Sequence, residues 1–165
     1  MILIVADTGP VNYLIQIGCI GVLAQMAEKT VLPKSVQAEL LHPAAPDVVQ
    51  AWAAAPPAWV EIRTALRLIE AKDMSTADRE AISLAQEMAA SVLLMDDHLA
   101  RRSATSRGVV TMGTVGLLEA AAARDLVKLP GALERLRGTS CYLSDELMEN
   151  ALQRDAERQR LRETH

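Results

Sequence analysis

Residues 1–16 read MILIVADTGPVNYLIQ, and this stretch decides the fold. Ile2–Ala6 is apolar throughout, which reads as a central strand of a parallel sheet, buried on both faces. Asp7-Thr8-Gly9-Pro10 ends the strand. Pro10 suits the start of a helix, with Asp7 or Thr8 as its cap. Val11, Leu14 and Ile15 then share one helical face.

Working outward, the same alternation recurs. Thr30–Leu32 reads as a second strand, and Pro33 starts a helix over Lys34–Leu41 that His42-Pro43 stops. The Ala- and Pro-rich segment 43–58 holds a short helix around Val48–Ala55, and Trp59–Ile62 reads as a third strand. Residues 63–75 read as a helix or a lid-like loop. Ser75 or Thr76 caps a helix through Ala90. Val92–Met95 is a fourth strand, ended by Asp96-Asp97, and a helix with Arg101 and Arg102 runs to Gly108. Val109–Met112 is a fifth, and Gly113-Thr114 leads into an Ala-rich helix to Val127. Strands alternating with helices predict an α/β domain with an open parallel sheet covered on both faces. The pattern changes after Pro130, and 143–162 reads as a charged amphipathic helix. The expected organisation is a domain over 1–142 and a helical extension over 143–165.

Composition narrows the function classes. The chain has 165 residues, 50% of them hydrophobic and 23% charged, which excludes wholesale disorder. With two Trp, two Tyr and no Phe, the composition argues against binding single strands mainly by stacking bases on aromatic platforms. The net charge of −4 means that any nucleic-acid binding must use a local basic patch or metal ions. No export signal is visible before Lys29, and no run of ~20 apolar residues suggests a membrane span. A cytoplasmic location is the expectation. Cys19 and Cys141 match no metal or redox spacing and read as buried thiols.

Ligands bind at the carboxyl ends of strands in open α/β sheets. Asp7, the Asp96-Asp97 pair and Thr111–Thr114 fall at those ends. Asp7 alone is equally an N-cap, and one of the Asp96-Asp97 pair is expected to cap the next helix. Adjacent carboxylates repel unless a cation is near. Two helical acids join them. Glu39 flanks the apolar stripe of its helix. Asp78 lies in line with Ala81, Ile82 and Ala85, on the buried face. Glu80 sits nearer the edge, in line with Leu84. Hard oxygen ligands of this kind suit Mg²⁺ or Mn²⁺, which could activate water against a phosphodiester.

The ordered set IVADTGPVNYLIQIGCIGVL, VLPKSVQAEL, ADREAISLAQE, LLMDDHLARRSA, VVTMGTVGLLEAA and CYLSDELMENAL resembles PIN domains, and more narrowly the DUF3368 group of PIN-type nucleases. The resemblance implies a three-layer α/β/α fold with a parallel sheet of about five strands. It implies a metal-dependent ribonuclease, of a kind often found as the toxin of a toxin–antitoxin pair and often homodimeric. Carried over, Asp7, Glu39, Asp78 with Glu80, and the Asp96-Asp97 pair are the acids of the site. Asp97 is favoured within the pair because Ala100 follows at the offset usual for an apolar residue. Asp7, Asp78 and Asp97 would hold the metal, with Asp96 as the other candidate. Thr8 matches a hydroxyl position beside the first acid. Thr114, Arg79, Arg101, Arg102 and Arg107 are candidates to contact RNA. Ala77 stands where the family usually has Gly. The alternative is a PIN-like module that binds RNA or protein and cuts little. A receiver domain would need a Lys after the last strand, a haloacid-type phosphatase a second Asp at Gly9, and a nucleoside triphosphatase a GxxxxGK loop, and none of these is present.

Overall fold

A computed structural model describes all 165 residues. They divide into two compact units, Met1–Thr114 and Val115–His165. The boundary falls earlier than the residue-142 division expected from the sequence, because the Ala-rich helix after the last strand groups with the C-terminal helices.

The first unit alternates as expected: β1 (Leu3–Ala6), α1 (Thr8–Gln16), α2 (Val22–Met26), β2 (Lys29–Pro33), α3 (Lys34–Leu40), α4 (Asp47–Ala54), β3 (Val60–Arg63), α5 (Thr76–Glu87), β4 (Val92–Leu94), α6 (His98–Ser106) and β5 (Thr111–Met112). All pairings are parallel, in the order β3-β2-β1-β4-β5. The chain lays strands outward from β1 to β3, then returns to the other side of β1 for β4. The reversal leaves a switch point between β1 and β4, the place where open α/β sheets bind ligands. Register puts Ala6 beside Leu94, so Asp7 and the Asp96-Asp97 pair emerge at the same edge.

Alternation along β1 divides the core. Leu3 and Val5 join Val31, Leu93 and Met95 in a cluster with Ala81, Ile82 and Ala85 of α5 and Ala100 and Ala104 of α6. Ile4 and Ala6 point to the opposite face and are equally buried. The alanines let α5 and α6 sit close to the strands. The larger side chains supply the driving force, each buried Leu or Ile contributing about 1.5–3 kcal/mol. In α5, Ser75 is the N-cap, and its hydroxyl oxygen accepts from the Asp78 amide at 3.1 Å. That cap places Asp78 in the first turn, where the helix dipole favours a carboxylate.

The uncertain segment 63–75 resolves after Arg63 into a strap without helix or strand, tied to α5 by side chains. The amides of Leu66 and Arg67 donate to the Glu87 carboxylate, and that of Ile69 donates to Ser83 Oγ. Arg79 Nε donates to the Ile69 carbonyl at 2.9 Å.

The second unit comprises most of α7 (Thr114–Ala123) with α8 (Leu129–Arg137) and α9 (Asp145–Glu163). The sequence reading has no helix at α8, because Leu129-Pro130-Gly131 looks like a break; Pro130 instead sits in the first turn, where its missing N–H costs nothing. The charged helix expected over 143–162 is α9, which runs to Glu163 with Ala151 and Asp155 buried. Arg154 pairs with Glu119 at 2.6 Å, and Arg162 with Asp125 at 2.5 Å. Along α9, Leu147 is exposed and Met148 is buried. Cys19 is buried and Cys141 half-buried. No helix is long and apolar enough to cross a membrane.

Candidate active site

Asp7 follows β1 and is the N-cap residue of α1 by backbone position, but its side chain makes no capping hydrogen bond. The plain capping role therefore does not account for it. Asp7 is only 5% exposed, and its Oδ1 is buried without a hydrogen-bond partner. Burial is the largest cause holding its carboxyl protonated well above the usual aspartate range. The Asp78 carboxyl, within hydrogen-bonding reach, adds to the rise, and the more distant charge of Glu39 adds a little. The Thr8 amide opposes it. Three acids from β1, α3 and α5 thus act on one point.

Glu39 lies at the surface and acts on Asp7 through its charge alone. Its residue is exposed, and its Oε2 accepts from the Thr8 hydroxyl at 2.6 Å. Thr8 is therefore the residue that aims Glu39. Asp78 is half-buried at the start of α5.

The Asp96-Asp97 pair separates by role. Asp97, favoured from the sequence, is exposed and caps α6, its Oδ1 accepting from the Ala100 amide at 2.8 Å. The offset to Ala100 that favoured Asp97 is the spacing of an N-cap to its N3 amide. Asp96 faces the switch point. Its Oδ1 accepts from the Thr114 amide at 2.8 Å and its Oδ2 from the Thr114 hydroxyl at 2.7 Å. A Cβ on Gly113 would lie 3.1 Å from Asp96 Oδ1, and one on Gly9 would lie 3.4 Å from its Oδ2. These two glycines admit the Asp96 carboxylate beside α1 and β5. Sequence reasoning assigns neither a role in holding Asp96, although Gly9 lies in the first turn of α1 and Gly113 directly follows β5.

Glu80 is 4% exposed but turned to other partners. Its Oε1 accepts from the amide and hydroxyl of Ser35, each at 2.9 Å, and its Oε2 accepts from the Ala65 amide at 3.2 Å. Both oxygens are occupied in tying α5 to the start of α3 and to the strap. Among the residues expected to meet RNA, Arg79 is held by the Ile69 carbonyl, and Arg107 Nη2 donates to the Glu70 carbonyl. Arg101 Nε donates to Thr111 Oγ1 at 3.2 Å, and Arg102 is exposed. Thr114 is buried against Asp96.

No three His, Cys, Asp or Glu side chains are arranged to grip a metal ion as they stand. The donor chemistry nevertheless fits a hard cation: an unpartnered buried carboxylate oxygen on Asp7, a second carboxyl against it, and a third acid whose charge it feels.

Five parallel strands, with Asp7 following β1 and Asp96 following β4 on either side of the switch point, define an α/β domain with acids at its strand ends. The family model of DUF3368, described as a PIN domain, matches residues 3–157, and the chain belongs to that family. PIN domains are generally nucleases that act on RNA and typically use divalent metal ions. Among solved structures, a PilT N-terminus domain protein, SSO1118, from the hyperthermophilic archaeon Sulfolobus solfataricus P2 is similar over 87% of this chain and 100% of its own. Its sequence identity is 15% and the TM-score is 0.47. No curated protein matches the chain.

Proposed function

We propose that this protein is a divalent-cation-dependent endoribonuclease whose site centres on Asp7. The observation that carries this reading is the buried carboxyl of Asp7, which has an unpartnered Oδ1 and lies within reach of the Asp78 carboxyl. A carboxylate there costs stability unless a proton or cation meets it. Asp7 and Asp78 would hold Mg²⁺ or Mn²⁺, with Glu39 and Asp96 at the rim. The ion, when bound, supplies charge to the phosphate oxygens and lowers the pKa of a water.

The chain's own residues organise the rest. The Thr8 hydroxyl orients Glu39, and Thr114 fixes both oxygens of Asp96. The Ser75 cap sets Asp78 opposite Asp7. Glu80 and Asp97 serve in this reading as positioning residues, because their hydrogen bonds go to Ser35 and Ala65 and to Ala100. Family membership also supports a homodimer and a small antitoxin partner; light scattering giving a single 17.9 kDa chain would exclude the dimer.

The test is incubation of single-stranded RNA with the full chain in Mg²⁺ or Mn²⁺ and in excess EDTA. Cleavage with either ion that stops on chelation is expected. Cleavage undiminished in EDTA overturns the reading.

A further inference from the structure

Beside the acid site, α6 and β5 frame a pocket of about 420 Å³ lined by His98, Arg101, Arg102, Thr105, Ser106 and Thr111. Its composition is selective: two guanidinium groups, an imidazole and three hydroxyls, with no acid. The nearest acids in sequence, Asp96 and Asp97, do not line it and are bonded to Thr114 and Ala100. On a chain of net charge −4 this is a local concentration of hydrogen-bond donors and positive charge. Arg101 links it to the site. Its Nε donates to Thr111 Oγ1, while its Nη1 lies 3.4 Å from a Cβ built on Gly113, the same glycine against which Asp96 Oδ1 sits at 3.1 Å.

We infer that this groove binds the sugar-phosphate backbone of a single strand outside the scissile phosphate. His98 and Thr105 are seven residues apart, roughly 10 Å along a helix axis. That is the reach of about three stacked nucleotides. Arginine offers a planar fork of donors that matches phosphate, and hydroxyls supplement it without adding sequence preference. Arg102 is the most informative member, because it is exposed and no hydrogen bond or ion pair ties it down. The identity of the ligand as RNA rests on the proposed function; the groove's anion chemistry does not.

Binding is measured by fluorescence anisotropy of a short labelled single-stranded RNA with the full chain in EDTA, across a series of salt concentrations. R102A is expected to weaken binding roughly tenfold, as removal of a charge-assisted hydrogen bond does. The slope of log affinity against log salt should fall by about 0.7 for each phosphate that the variant leaves unneutralised. The double variant H98A/R102A should bind more weakly still. Wild-type affinity and slope in both variants overturn the proposal. So does displacement of the RNA by polyglutamate at equal concentration, which would assign the groove to an acidic protein segment. The two readings fail separately. RNA held through Arg102 but never cut contradicts the nuclease and leaves the groove standing, whereas metal-dependent cleavage with R102A binding unchanged does the reverse.

Discussion

Replacing Asp7 with Asn should make the protein more stable while removing its activity. The substitution keeps the side chain's size but removes a carboxyl that is buried, has one unpartnered oxygen and is disfavoured in its charged form. The new amide can donate to the Asp78 carboxyl, which currently pushes the Asp7 proton affinity upward. A buried unsatisfied polar group costs about 1–3 kcal/mol. For a chain of this length each kcal/mol moves Tm by about 2–4 °C. D7N should therefore melt roughly 2–12 °C higher than wild type at pH 7 in EDTA. The sign of the pH dependence follows from the raised folded-state pKa. Below about pH 4 Asp7 is protonated in both folded and unfolded chains and carries no penalty. As pH rises from there through the folded-state value, the unfolded chain releases its proton first and the native state loses stability. The advantage of D7N should thus shrink toward pH 4 and be fullest at neutral pH. Melting curves at pH 4 and pH 7 with chelator present measure it. An unchanged or lower Tm for D7N at pH 7 would refute the reasoning, since it would mean Asp7 is satisfied in the fold as it stands.

Glu39 and Glu80 should separate cleanly. E80Q puts an amide against donors from Ser35 and Ala65, so thermal melts should show a loss of about 1–3 kcal/mol. E39Q, at an exposed position, should leave stability within about 0.5 kcal/mol of wild type and abolish RNA cleavage. T114V should slow cleavage while T114S retains it, because only the hydroxyl reaches Asp96 Oδ2; equal rates in a cleavage assay would remove Thr114 from the site.

The strands and most helices were legible because apolar runs ended by Asp, Gly or Pro carry their own punctuation. Strand ends pointed to Asp7 and the Asp96-Asp97 pair, whereas helical phase placed Asp78 on the buried face and Glu80 at the edge, and the structure has Glu80 buried and Asp78 half-buried. What the sequence hid was which way a side chain turns. Asp97 and Asp96 are adjacent and chemically identical, and only the close approaches at Gly9 and Gly113 distinguish them. Glu80 lies two residues from Asp78, close enough in sequence to share a site, yet its hydrogen bonds go to Ser35 and Ala65, partners 45 and 15 residues away in the chain. Helix α8 was missed for another reason: Pro130 and Gly131 weigh against a helix locally, whereas burial of Leu129, Leu133 and Leu136 overrides that preference.

The most direct test of the acid site as a cation site is a calorimetric titration of Mn²⁺ into the wild-type chain and into D7N at pH 7. The account predicts a saturable heat for wild type and no saturable heat for D7N. No saturable binding in wild type, or equal binding by D7N, would contradict it.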